Sequence, residues 1–93
     1  MNIDEAKKLL LTELKEFRQL DYSSLKQRIG SEPYAKDYAL DNGNWYQFEI
    51  EVSWSGDSKE AISVTGEVDD GGWMSLAPLT ESFVLTPNGE FVR

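Results

Sequence analysis

The sequence contains no cysteine and no histidine among its 93 residues. Without cysteine the chain cannot form a disulfide, a thiolate nucleophile, a zinc finger or an iron–sulfur cluster. Without histidine it lacks the usual general base and the commonest metal ligand. Most familiar active sites are thereby excluded, and we predict a protein that is not an enzyme and needs no cofactor.

Long hydrophobic runs are absent as well. No apolar stretch approaches the ~20 residues that a membrane-spanning helix needs. The segment from Lys7 to Glu13 alternates charged residues with leucine, unlike the uninterrupted apolar core of a secretory signal. At 40% hydrophobic and 12% aromatic residues the chain is too rich in core-forming side chains to be disordered. We therefore predict a single soluble domain over residues 1–93, with no membrane contact and a cytoplasmic location.

Basic residues are few and unevenly placed. Residues 1–30 carry six of the nine, whereas residues 31–93 hold twelve acidic residues against three basic ones. The net charge of −8 opposes binding to phosphate backbones, so we predict no nucleic-acid partner. The acidic excess coincides with the part of the chain that shows strand patterning, which predicts that the acids lie on a solvent-facing sheet surface and in loops.

The N-terminal third has the pattern of two helical segments. Asn2 followed by Glu5 resembles a capping box, and an amphipathic helix is predicted over residues 3–20. Asp21 begins a second, short helical turn that Gly30 ends. The apolar stripe of the first helix consists of Ile3, Ala6, Leu9, Leu10, Leu14, Phe17 and Leu20.

The rest of the chain has the pattern of antiparallel strands. Pro33 favours an extended entry into a first strand over residues 34–40, in which Lys36 is expected to protect the sheet edge. A reverse turn at residues 41–44 leads to the clearest strand, 45–55, in which apolar residues alternate with polar ones. A third strand covers residues 61–69. The side chains predicted to face the core are Tyr46, Phe48, Ile50, Val52, Trp54, Ile62, Val64, Gly66 and Val68.

Two registers of the hairpin between the second and third strands keep these apolar faces together. One sets Glu49 opposite Glu67, and the other sets Glu49 opposite Thr65 and leaves a three-residue loop at 56–58. Because like charges on opposed residues destabilise a sheet, we predict the second register. A fourth strand over residues 83–85 and a turn at residues 86–89 complete the pattern, returning the chain as a short terminal hairpin.

The predicted fold class is therefore α+β. An N-terminal amphipathic helix and a short helical turn pack on one face of a single antiparallel meander of about four strands. This layout resembles cystatin-like and nuclear-transport-factor-like arrangements in architecture only.

Acidic residues on the second and third strands are the main candidates for a functional surface. The candidate binding residues are Trp45, Glu49, Glu51, Glu67, Asp69, Asp70 and Trp73. Paired carboxylates serve hydrolysis or bind hard cations. An open sheet face offers no cleft to desolvate an acid, however, and residues 69–72 lack the alternating ligands of a calcium loop. The two tryptophans either pack at the rim of the core or belong to a protein-binding surface.

Three functions are consistent with this sequence. The leading interpretation is a small acidic, non-enzymatic domain that binds another protein, most simply a basic one. One alternative is an inhibitor or immunity-type protein that presents carboxylates to a cationic partner. The other is a carboxylate-based cation site or hydrolase. We expect either a monomer or a weak homodimer formed by the edge strand, residues 34–40.

Overall fold

A computed structural model describes residues 2–70 and 79–92. Helices α1 (Ile3–Arg18) and α2 (Tyr22–Arg28) are followed by strands β1 (Tyr34–Ala39), β2 (Trp45–Ser55), β3 (Ala61–Asp69), β4 (Leu79–Leu85) and β5 (Phe91–Val92). The strands form one antiparallel sheet in the order β1-β2-β3-β4-β5. This arrangement confirms the predicted α+β class and the meander, with five strands in the described ranges instead of about four.

Both helices begin at the predicted capping residues. The Asn2 side chain accepts a hydrogen bond from the backbone N–H of Glu5 at 3.1 Å, and Asp21 accepts one from that of Ser24 at 2.8 Å. The second bond lowers the pKa of Asp21, because the backbone donor favours its charged form. Helix α1 ends two residues before the predicted Leu20.

Two hairpin turns use the same geometry. Around Gly43, the backbone N–H of Leu40 donates to the carbonyl of Asn44 at 2.9 Å, and Gly43 has a φ of +90°. The turn between Thr86 and Glu90 repeats this pattern with Gly89 at +87°. Both turns are predicted from the sequence because glycine adopts a positive φ without a steric penalty.

The helices cover one face of the sheet and the core lies between the two layers. Even-numbered residues of β2 and β3 face the helices, as predicted, except that Trp54 is only half-buried. The largest fully buried side chains are Tyr46, Phe48, Phe83, Leu10, Leu25, Ile50, Ile62, Val64 and Val68. Odd-numbered residues of the same strands lie on the opposite face, which the described helices leave open.

The predicted register of the β2–β3 hairpin is wrong. Glu49 stands directly opposite Glu67, and the connection has five residues, 56–60, instead of three. Gly66 faces the helices in either register, so its packing against α1 does not select one of them. A Cβ atom added at Gly66 would lie 2.7 Å from Cδ1 of Leu10, so α1 approaches β3 closely at this glycine. The two carboxylates are exposed to water, where repulsion between unit charges is only about 1 kcal/mol at 4 Å, too little to decide the register.

Candidate binding site on the open sheet face

The sheet face opposite the helices concentrates acidic side chains. Strand alternation and register place five carboxylates on it, which we call the acidic face: Asp37, Glu49, Glu51, Glu67 and Asp69. Among the described strand residues that share this face there is no lysine or arginine. The described strand positions of this surface therefore carry only negative charge.

The centre of the acidic face is the opposed pair Glu49 and Glu67. Their side chains originate about 5 Å apart, the usual spacing of opposed residues on neighbouring strands. Glu51 follows on β2 opposite Thr65. Together with Pro33 these four residues line a recess of about 120 Å³.

This geometry does not favour catalysis. The recess is smaller than the ~300 Å³ at which pockets for small-molecule ligands begin. Glu49, Glu51 and Glu67 are exposed, so the site does not exclude water from a reacting group. Within residues 2–70 and 79–92, no three acidic side chains are grouped so that they could hold a metal ion.

Two further candidates lie at the end of this surface. Trp45 is 39% exposed and opposes Ala39 of β1, so its ring is available beside the acidic face. Asp70 is half-buried and lines an open recess of about 360 Å³ together with Trp45 and Tyr46. Asp69 is half-buried at the end of β3. Trp73, the remaining candidate, lies outside the described residues.

A buried acid that the sequence analysis did not single out lies on the helix side. Glu13 is only 2% exposed, and its Oε1 accepts a hydrogen bond from the hydroxyl of Tyr38 and lies 3.1 Å from Nζ of Lys36. Its other oxygen, Oε2, has no hydrogen-bond partner among the described residues. The pKa of Lys36 is raised by its interaction with Tyr38 and by Glu13. Glu13 likewise raises the pKa of Tyr38.

Glu5 forms a second polar cluster, between α1 and the first hairpin. It accepts hydrogen bonds from the side chains of Asn42 at 2.8 Å, Asn44 at 2.7 Å and Tyr46 at 2.7 Å. These bonds, with that from Asn44 the largest effect, lower the pKa of Glu5. Burial and the hydrogen bond to Glu5 raise the pKa of Tyr46 to about 12. The cluster fixes the start of α1 against the hairpin.

One signal in the sequence is consistent with the position of Glu13. Lys36 shares its side of the edge strand β1 with Tyr34 and Tyr38, which places it on the helix side of the sheet. An acidic side chain from the covering helix can pair with a lysine on that side. Glu13 flanks the apolar stripe of α1, one residue before Leu14, and forms this ion pair.

Comparison with known proteins gives no relative. No protein-family model matches the chain, and neither the curated proteins nor the solved structures include a match. The resemblance to cystatin-like and nuclear-transport-factor-like layouts therefore stays a prediction. Within the described residues, no helix is long and apolar enough to cross a membrane.

Proposed function

We propose that this chain is a small acidic, non-enzymatic domain that binds a basic protein through the acidic face. The observation that carries the proposal is the direct opposition of Glu49 and Glu67 on a face without a described strand cation. Like charges in this position destabilise a free sheet. A partner lysine or arginine placed between them turns the repulsion into attraction, and arginine binds carboxylates in a bidentate manner.

Two properties of the surface support a protein as the ligand. The carboxylates are spread over three strands, an extent that suits a protein surface better than a small molecule. Trp45 adds an exposed aromatic ring next to them, and tryptophan is enriched among the residues that dominate binding energy at interfaces.

The charge of the surface defines how binding depends on salt. Complementary charge accelerates encounter, and this acceleration falls as salt screens the interaction. An inhibitor of a cationic protein is one biological form of this function, because it needs only that the carboxylates occupy the partner's basic site. We place this encounter in the cytoplasm, the location that the sequence predicts.

The test is affinity capture with three versions of the protein. The first is the wild type and the second carries Glu49→Gln, Glu51→Gln and Glu67→Gln. The third, matched in net charge, carries the substitutions Glu16→Gln, Asp57→Asn and Glu60→Gln at exposed positions away from the acidic face. Proteins retained from the source cell at low and high salt are identified by mass spectrometry, and each candidate is then measured in purified form.

If the proposal is correct, the wild type and the off-face control bind the same basic protein with equal affinity. Its affinity for the acidic-face variant should fall at least about tenfold, the effect of about 1.4 kcal/mol. Equal loss of binding in both triple variants would show that net charge alone, and not this surface, is responsible. Binding that survives in the acidic-face variant would also contradict the proposal.

A further inference from the structure

Strand β1 forms an edge of the sheet whose outer backbone groups are unpaired within the described part of the chain. It pairs with β2, and β2 alone, in the described sheet. Since the N–H of Leu40 donates to Asn44 in this ladder, hydrogen-bonded pairs fall on even-numbered residues of β1. The N–H and C=O groups of Ala35, Asp37 and Ala39 therefore point away from β2. Such an edge is a template for an additional strand.

The lysine of β1 does not block this edge. Its Nζ atom lies 3.1 Å from Oε1 of Glu13 and 4.8 Å from the ring centre of Tyr38. The contact with Glu13 directs the Lys36 side chain towards α1, and the contact with Tyr38 lies on the same side of the sheet. The usual protection of an edge strand by an outward-directed lysine is consequently missing.

The open face next to this edge suits basic side chains. Ala35, Asp37 and Ala39 lie on that face, and their partners on β2 are Glu49, Gln47 and Trp45 respectively. An added strand would run about 10 Å from β2, two strand spacings away. A lysine or arginine opposite Ala35 can extend over the small methyl group towards Glu49. One opposite Ala39 can likewise reach the ring of Trp45.

The helix side of the same edge suits apolar side chains. A recess of about 290 Å³ lies beside the start of β1, and its apolar lining consists of Phe17, Tyr34, Ile50 and Val52. Arg28 also lines it and is held 5.4 Å from the ring centre of Phe17. An apolar residue of an added strand that points to the helix side near Tyr34 can fill this recess.

We propose that β1 binds an extended segment of a basic partner as an additional antiparallel strand. Lysine or arginine at alternate positions lies over the acidic face, and the residues between them are apolar and face the helices. This inference rests on the proposed function and specifies how the partner is bound. A second copy of the chain fits less well, because a two-fold pairing centred on β1 sets Lys36 or Asp37 against its own copy, and each chain carries a net charge of −8.

The test compares two fluorescent hexapeptides of identical composition. One alternates lysine and valine, and the other has three lysines followed by three valines. If the peptide binds as an added strand, the alternating peptide should bind at least about tenfold more tightly than the other. Only the alternating sequence places its charged and apolar side chains on two separate faces of a strand. Hydrogen exchange should slow at the amides of Ala35, Asp37 and Ala39 when the alternating peptide binds.

Backbone methylation of the alternating peptide tests the hydrogen bonds directly. In antiparallel addition the residues opposite Ala35, Asp37 and Ala39 share their face and direct their N–H groups to β1. Methylating the backbone nitrogens of the lysine residues should therefore weaken binding about tenfold or more, since several hydrogen bonds are lost. The backbone N–H groups of the valine residues point away from β1, so methylating their nitrogens should leave binding unchanged.

The outcomes separate this inference from the function on which it rests. Equal binding of both peptides that is lost in the Glu49→Gln, Glu51→Gln, Glu67→Gln variant would leave the acidic face as a binding surface and overturn strand addition. Insensitivity to methylation would overturn it too. If neither peptide binds and the chain alone dimerises with protection of the β1 amides, the occupant is a second copy and the inference is wrong.

Discussion

At the scale of single residues, the most unusual side chain is the buried carboxyl of Glu13. A buried charge is tolerated only when partners replace the water that it has lost. Tyr38 and Lys36 supply these partners to Oε1, and Oε2 has none among the described residues. Removing either partner should therefore be costly.

Replacing Tyr38 with phenylalanine tests this dependence. The substitution keeps the ring that packs edge-on against Phe48 and removes the hydroxyl that donates to Glu13. We expect the free energy of unfolding to fall by about 1–3 kcal/mol, as for a buried acceptor that loses a donor. Urea unfolding measures this. Tyr34→Phe is the control, because the hydroxyl of Tyr34 makes no hydrogen bond with a described residue, and an equal cost for both variants would contradict the role of Glu13.

Gly66 is a position where the absence of a side chain allows α1 to pack closely on β3. An added Cβ would lie 2.7 Å from Leu10 and 3.3 Å from Leu14, both of which are buried. We expect Gly66→Ala to lower the free energy of unfolding by about 1–3 kcal/mol, although alanine is otherwise preferred to glycine in a strand. Thermal unfolding measures the change. A stabilised Gly66→Ala variant would show that α1 does not press on β3 here.

At the scale of elements, the strands and their faces follow from the sequence, but the register does not. Alternation of period two is a local property, so the inward positions of β2 are predictable from that segment alone. The register is a relation between two strands, which alternation within either strand does not specify. Opposed charges at Glu49 and Glu67 were an inadequate guide because their repulsion is weak in water. The helical pattern places Glu13 beside the apolar stripe but does not give its partners Lys36 and Tyr38, which lie far away in the sequence.

Glu5 joins two elements, and its depressed pKa makes their contact sensitive to pH. A carboxyl whose folded-state pKa lies below its ordinary value of 4.5 contributes stability that is present above pH 4.5 and is lost as the pH falls through the lower folded value. Glu5→Gln should therefore flatten the decline in stability below pH 4.5. Urea unfolding from about pH 3 to 6 tests this.

The control for this measurement is Asp4→Asn, which removes an exposed acid from the same helical turn. The control should keep the wild-type decline in stability. If Glu5→Gln and Asp4→Asn change the curve alike, general helix-end electrostatics and not the hydrogen bonds to the hairpin account for the effect.

At the scale of the whole molecule, charge is segregated between the two layers. Several cations on the helix side are held against aromatic rings, with Arg18 4.4 Å from the ring centre of Phe83 and Lys26 6.0 Å from that of Trp54. The acidic face has no strand cation among the described residues. A protein arranged in this way is expected to be less stable than its core would allow, because the acids on one face repel one another.

Salt should reveal this repulsion in the absence of any partner. Raising NaCl from about 0.1 M to 1 M shortens the screening length from about 10 Å to 3 Å, so the free energy of unfolding of the wild type should increase. The triple variant Glu49→Gln, Glu51→Gln, Glu67→Gln should be more stable at low salt, by about 0.2–1 kcal/mol for the opposed pair, and should gain less from added salt. The off-face triple variant has the same net charge, so its salt dependence should stay closer to that of the wild type. Identical dependence of stability on salt in the two variants would mean that the acids act only through net charge. The opposition of Glu49 and Glu67 would then have no separate effect on stability.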